Sequence, residues 1–156
     1  APVLRAAGGV RAVMHLLGMR RTFKSVTLLP PSRAVLCASF EALHSQHAVP
    51  ATSRAKPSQL TVGARALAKH CHRASSGWWG AAAGSEAAKN AWGREVLARV
   101  LDGATWLNVH LLPHAAAIVE VRTADGYGAR WTADGAAFRG FLEPHAADGH
   151  ATGWKH

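Results

Sequence analysis

The sequence predicts an α+β fold in which two helices are followed by a four-stranded antiparallel meander. Three observations support this prediction. Apolar residues recur at helical spacing between residues 58 and 101, the spacing changes to a strict alternation after Gly103, and turn motifs then separate four alternating runs. Helices followed by consecutive strands are typical of an α+β domain whose helices cover one face of the sheet.

The two helices are predicted from their caps as well as their periodicity. Ser58 is a candidate N-cap for a helix that runs through about residue 74. Ser85 is a candidate N-cap for a second helix that continues to Leu101, and Glu86 in its first turn interacts favourably with the helix dipole. Gly103 is well placed to end this second helix.

Four short runs of alternating residues predict the strands of the sheet. A three-residue loop, 125–127, is expected between the second and third strands because it keeps the apolar and polar faces apart. In this register we expect Val121 to pair with Ala129 and Arg122 to pair with Arg130. The predicted strands are 105–112, 117–123, 128–132 and 138–142.

Charge divides the chain into two unequal parts. The net charge is +9, but the first 59 residues hold eight basic groups and one acid, whereas the remainder holds ten basic groups and eight acids. We therefore predict a basic, acid-poor arm over 1–57 and an α+β domain with a C-terminal tail over 58–156. The arm is typical of an organelle transit peptide, which predicts a mitochondrial or, alternatively, a chloroplast protein. A basic tail without a targeting role is the other interpretation.

The composition also excludes several classes of protein. The longest uncharged run, 103–119, contains polar residues and Pro113 and is shorter than a membrane span. Two cysteines, Cys37 and Cys71, do not form a disulfide framework and fit a reducing compartment. The turn at 126–128 lies between strands, so it does not match a dinucleotide-binding loop, and we expect no cofactor.

Several strings in the C-terminal half resemble a small, uncharacterised family of plant and green-algal proteins. The resemblance covers about residues 60–156, and it implies no established activity, cofactor or functional residue. The strings are Trp106–His110, Asp125–Trp131, Gly140–Pro144, Asp148–His150 and Gly153–His156.

The polar face of the sheet is the candidate ligand or RNA site. Arg122 beside Arg130 would cost repulsion unless an acid or an anion, such as an RNA phosphate, lies between them. Sheet faces that combine arginine with aromatic side chains also bind single-stranded RNA. The other interpretation is a solvated face crossed by weak ion pairs. His110 and Glu120 also suit a general base and its orienting carboxylate, but no nucleophile is evident. The candidate residues are Trp106, Asn108, His110, Glu120, Arg122 and Arg130.

The histidine-rich segments do not predict a metal site. Side chains at 70–72 would point about 100° apart on a helix and cannot share one ion. The tail histidines at 145, 150 and 156 could converge on an ion, with Asp148 as an additional ligand, but they lack the short paired spacing of a zinc site. We expect ordinary surface histidines and no bound metal.

The tryptophans suggest a surface for a protein partner, because six in the predicted domain exceed what a small core readily encloses. Trp78, Trp79 and Trp154 are the candidates. Together these features predict an organelle-imported, non-catalytic protein that binds RNA, a ribonucleoprotein or a protein assembly. The alternative is a small enzyme or anionic-ligand-binding domain with a His/Glu/Arg site on the sheet face.

Overall fold

Five helices precede a four-stranded sheet in the computed structural model, which describes residues 2–19, 22, 24–44, 57–72, 77–113 and 116–145. The expectation of an α+β chain with four antiparallel strands is confirmed, whereas the expectation of two helices omitted three shorter ones near the N-terminus. The helices are α1 (Pro2–Ala6), α2 (Val10–Leu16), α3 (Arg33–Glu41), α4 (Val62–Cys71) and α5 (Glu86–Asp102).

Side-chain caps fix the starts of the three longer helices. The hydroxyls of Ser32, Thr61 and Ser85 accept hydrogen bonds from backbone N–H groups three residues ahead, at the starts of α3, α4 and α5. The prediction of Ser85 is confirmed, but Thr61 rather than Ser58 caps α4. The Ser58 hydroxyl instead donates to Glu86 Oε1 at 2.6 Å, which ties the segment before α4 to the first turn of α5.

The four strands form one antiparallel sheet with neighbours in chain order. Val121 pairs with Ala129 as predicted, but the expected pairing of Arg122 with Arg130 is wrong. In an antiparallel pair, one step forward on one strand is matched by one step back on its neighbour. Next to the pair Val121–Ala129, Arg122 therefore lies opposite Gly128, and Glu120 lies opposite Arg130. The strands are β1 (Ala104–Leu111), β2 (Ala117–Thr123), β3 (Gly128–Thr132) and β4 (Phe138–Leu142).

The hydrophobic core lies between helices α3–α5 and one face of this sheet. Phe40 from α3, Leu67 from α4 and Val96 from α5 are fully buried against sheet residues that include Val119 and Trp131. Residues nearer the N-terminus join the same cluster, among them Met14 and Met19. Side chains that precede residue 57 in the sequence and side chains that follow it therefore share one core. The opposite face of the sheet carries the polar groups.

The outer edge of β1 is partly covered by a short N-terminal segment that includes Thr22 and residues 24–26. The Val26 N–H donates to the Val109 carbonyl at 2.9 Å, and the Leu111 N–H donates to the Lys24 carbonyl at 3.0 Å. These bonds satisfy some of the backbone groups that an edge strand exposes. Within the described ranges, no helix combines the length and the apolar character that crossing a bilayer requires.

Candidate functional site

The candidate site is a row of polar side chains across three adjacent strands, on the sheet face opposite the core. Asn108 of β1 pairs with Glu120 of β2, which in turn pairs with Arg130 of β3. His110 and Arg122 lie two residues from these partners along their own strands. Because side chains two residues apart share a face, the sheet brings all five together, as the sequence predicted.

Glu120 is the centre of this cluster. Arg122 Nε donates to Glu120 Oε1 at 2.6 Å, and Arg130 Nη2 donates to Glu120 Oε2 at 3.2 Å. His110 Nε2 lies 3.5 Å from the same Oε2 atom. The Glu120 side chain is only 5% exposed, so these three groups surround a buried carboxylate. The acid expected between the two arginines is therefore Glu120 itself.

The surrounding positive charges keep Glu120 ionised. Burial alone raises the pKa of this carboxyl group, but the attraction and hydrogen bond of Arg122, together with Arg130 and His110, outweigh burial and lower the pKa below its ordinary value. One carboxylate then faces two guanidinium groups. The cluster therefore keeps a net positive charge even when His110 is neutral, which favours an anionic ligand.

Backbone carbonyl groups and a glycine hold Arg122 in place. Its Nη1 atom donates to the carbonyl of Gly126, in the β2–β3 turn, and to the carbonyl of Glu143 at 2.9 Å. Gly128 lies opposite Arg122, and a Cβ at this position would overlap the Val121 carbonyl and crowd the Arg122 side chain. The absence of a side chain at Gly128 thus leaves room for the Val121 carbonyl and for the aliphatic part of the Arg122 side chain.

Glu143, which the sequence analysis did not single out, links this cluster to the helical layer. Its Oε1 atom accepts a hydrogen bond from the Trp79 indole N–H at 2.7 Å and lies 2.7 Å from His70 Nε2. The carboxylate is thereby fixed between α4 and a buried tryptophan, while the carbonyl of the same residue binds Arg122. No sequence pattern joins residues 70, 79, 122 and 143, so only the fold reveals this connection.

The covering N-terminal segment fixes the amide of Asn108. Ser25 Oγ donates to Asn108 Oδ1 at 2.7 Å, and Asn108 Nδ2 donates to Thr22 Oγ1 at 3.2 Å. Asn108 is fully buried, so these bonds satisfy polar atoms that would otherwise be costly to bury. Thr22 and Ser25 are also residues that sequence reasoning missed, because 83 or more positions separate them from Asn108.

The cluster opens into a cleft of about 360 Å³, which we call the first cleft. Three buried nitrogen atoms at its lining residues have no hydrogen-bond partner among the described residues: His110 Nε2, Arg122 Nη2 and Arg130 Nε. The two arginine nitrogens are obligate donors, and buried donors of this kind favour a ligand that supplies acceptor oxygens. The lining residues are Thr22, Trp106, Asn108, His110, Leu112, Pro113, Glu120, Arg122, Arg130 and His145.

Trp106 is the sixth predicted site residue, and it lines the same cleft. The centroids of its ring and the His110 ring are 6.2 Å apart. His145 lines this cleft as well, whereas His150 and His156 lie outside the described residues. No group of three potential metal ligands is present within the described ranges.

The three tryptophans predicted as a partner surface have different environments. Trp79 is fully buried and belongs to the core, so it cannot be part of a surface. Trp78 is half-buried and stacks on Tyr127, with ring centroids 4.4 Å apart, while Arg99 lies 4.2 Å from the Trp78 centroid. Trp154 lies outside the described residues. Trp78 stays a candidate for a contact surface, and the prediction for Trp154 is untested.

Fold and site together define an α+β protein with a positively charged cleft that is suited to a phosphate-bearing ligand. The chain belongs to the CdiA C-terminal tRNase toxin domain family, whose model matches residues 49–143, more than half of its length. It is also similar to the toxic C-terminal tip of CdiA from Pseudomonas aeruginosa, solved in complex with an immune protein. The two chains are 27% identical, the TM-score is 0.49, and the match covers 59% of this chain and 98% of the other. A search of curated proteins gave no match.

Membership of this bacterial toxin family corrects several predictions. The resemblance to a plant and green-algal family is wrong, and so are the transit peptide and the mitochondrial or chloroplast location. The expectation of a non-catalytic RNA-binding protein is wrong as well, because the family is one of tRNases. Only the broader expectation that RNA is involved agrees with the family. An arginine-rich, acid-poor segment is a property of proteins that act on nucleic acids as well as of import signals.

Proposed function

We propose that this chain cleaves the phosphodiester backbone of tRNA, using the ribose 2′-hydroxyl of the substrate as the nucleophile. The observation that carries the proposal is the placement of His110 beside a buried, ionised Glu120, in a cleft lined by Arg122 and Arg130. Membership of the tRNase family supplies the substrate class.

An RNA substrate removes the objection that the sheet face lacks a nucleophile. The 2′-hydroxyl of RNA already lies next to the phosphorus atom that it attacks, so the protein needs to supply only proton transfer and charge stabilisation. His110, Glu120 and the two arginines are the groups that such a reaction requires. With RNA as substrate, these residues are therefore enough for the proposed cleavage. With a substrate that lacks the 2′-hydroxyl, they would not be enough, because no nucleophile would be present.

His110 is the proposed general base. It removes the proton from the 2′-hydroxyl as the bond between the 2′ oxygen and phosphorus forms and the bond between phosphorus and the 5′ oxygen breaks. The departing 5′ oxygen takes a proton from water, and His110 later returns its proton to the solvent. The products are a 2′,3′-cyclic phosphate and a 5′-hydroxyl end.

Glu120 is a positioning residue in this scheme. Its carboxylate is already engaged by two guanidinium groups and its pKa is lowered, which makes it a poor base. At 3.5 Å from His110 Nε2, it is placed to orient the imidazole ring and to stabilise the imidazolium ion that forms. The negative charge thus acts through His110 rather than on the substrate.

The two arginines complete the site by stabilising negative charge. The attacked phosphate gains charge in the transition state, and fixed cationic donors favour that state when water is largely excluded. Arg122 is fixed by two backbone carbonyls, and Arg130 is fixed by Glu120. Little reorganisation is therefore needed when the charge develops.

The test compares His110→Ala with His15→Ala, which removes an exposed histidine of α2 that does not line the cleft. We expect His110→Ala to reduce kcat on tRNA by at least about 100-fold, the usual contribution of a general base, and His15→Ala to leave kcat unchanged. Circular dichroism and thermal unfolding confirm that both variants are folded. A folded His110→Ala protein with wild-type kcat excludes the proposed role of His110.

A further inference from the structure

A second cleft of about 260 Å³ adjoins the first on the same sheet face. The two clefts share Leu112 and Arg130 and are therefore adjacent, and the second cleft also includes a residue of β4. The second cleft is lined by Leu112, Ala116, Ala117, Ile118, Arg130, Thr132 and Arg139.

An irregularity in β4 accounts for the presence of Arg139 in this cleft. Arg130 pairs with Gly140, but the next residue of β3, Trp131, pairs with Phe138. One extra residue, Arg139, is therefore inserted between the two pairs. A β-bulge of this kind re-aims the side chain of the inserted residue, and here that side chain lines the second cleft.

Charge and apolar surface combine in the second cleft as they do in single-strand-binding grooves. Arg139 is exposed and has no ion-pair or hydrogen-bond partner among the described residues. The half-buried Leu112 supplies apolar surface in the same cleft, and the almost fully buried Ile118 also lines it. A cation next to an apolar floor suits a nucleotide, whose phosphate is anionic and whose base has apolar faces.

We propose that the second cleft is a subsite for the nucleotide next to the cleaved bond, with Leu112 contacting its base and Arg139 binding the phosphate on the far side of this nucleotide, which a dinucleotide lacks. This subsite rests on the proposed tRNA cleavage. It defines the path of the bound strand, which runs from the first cleft past Arg130 towards β4. A substrate that extends into both clefts binds more tightly than one confined to the first cleft.

The test uses Arg139→Ala, with Arg94→Ala as the matched control. Arg94 is also exposed and unpaired among the described residues, but it lies on α5, in the helical layer on the opposite side of the sheet. Each variant is assayed on tRNA and on a dinucleotide that contains only the cleaved bond. We expect Arg139→Ala to raise KM for tRNA about tenfold, the effect of losing one charged hydrogen bond, with kcat and dinucleotide cleavage unchanged.

Salt dependence gives a readout that loss of folding does not mimic. In a His110→Ala background, in which turnover is expected to be at least about 100-fold slower, the dependence of log Kd for tRNA on log salt concentration is measured. Arg139→Ala removes one phosphate contact and should reduce the magnitude of this slope by about 1. Arg94→Ala removes none and should leave the slope unchanged. Arg139→Lys should restore most of the slope because it keeps the charge.

The outcomes separate the subsite from the catalytic proposal. If Arg139→Ala and Arg94→Ala behave alike on tRNA and in the salt titration, the subsite is wrong, whatever His110→Ala shows. If Arg139→Ala slows dinucleotide and tRNA cleavage equally, Arg139 acts at the cleaved phosphate and the subsite is again wrong. If wild-type protein does not cleave tRNA, the catalytic proposal fails, and the salt titration alone decides whether Arg139 contacts a bound strand.

Discussion

Replacement of Glu120 by glutamine removes the charge at the centre of the site while keeping the shape of the side chain. The amide oxygen can still accept a hydrogen bond from Arg122 Nε, but the amide NH₂ group then faces a second donor, Arg130 Nη2. Two largely buried guanidinium groups lose the carboxylate that they share. We therefore expect Glu120→Gln to destabilise the protein substantially.

The magnitude follows from the burial of the pair. Removing one partner of a buried ion pair costs about 3–5 kcal/mol, and because the amide retains one acceptor we expect a loss near the lower end, about 3 kcal/mol. For a chain of this size, 1 kcal/mol corresponds to about 2–4 °C in Tm, which predicts a decrease of roughly 6–12 °C. This loss is a large fraction of the total stability of a typical domain.

Urea unfolding and thermal unfolding at neutral pH measure the effect. Asp102→Asn is the matched control, since it makes the same carboxylate-to-amide change in a solvent-exposed ion pair with Arg33. Exposed pairs contribute little, so we expect almost no change in Tm for this control. If both substitutions lower Tm by the same small amount, Glu120 does not hold a buried charge cluster, and the electrostatic description of the site is incorrect.

Two further predictions concern pH and packing. Because the folded-state pKa of Glu120 is lower than its ordinary value of 4.5, its contribution to stability is fully present above about pH 4.5 and is lost as the pH falls through the folded-state pKa. The difference in unfolding free energy between wild type and Glu120→Gln should therefore narrow in acid, and a constant difference from pH 7 to pH 3 would contradict this. A Cβ at Gly63 of α4 would overlap the buried Phe40 ring, so Gly63→Ala should lower stability by about 1–3 kcal/mol despite its better helix propensity, as measured by the urea midpoint.

The elements with strong local signals were predictable from the sequence. Strands β2, β3 and β4 have the predicted bounds, because alternating residues and glycine-containing turns define them locally. The start of α5 was equally clear, since Ser85 is followed by a long run without competing caps. At α4 two hydroxyl residues competed, and a tertiary hydrogen bond to Glu86 removed Ser58 from the capping role.

The candidate site was predictable only in part, for a physical reason. Alternation along the strands was enough to bring His110, Glu120 and Arg122 onto one face. The partners that fix them, such as Ser25 and Glu143, come from distant segments whose approach depends on the whole fold. The lack of a nucleophile among the protein side chains does not argue against the proposed reaction, because RNA carries its own 2′-hydroxyl.

The identity of the nucleophile is the most direct test of the proposed function. The bond that the wild-type protein cleaves in tRNA is first mapped, and a substrate is then prepared with a 2′-O-methyl group on the nucleotide that precedes this bond. We expect no cleavage at the methylated position, and a 2′,3′-cyclic phosphate or its hydrolysis product at the unmodified position, identified by mass spectrometry. Cleavage that continues at the methylated position and leaves a 5′-phosphate would show that water attacks the phosphorus atom, and would contradict the role assigned to the 2′-hydroxyl and His110.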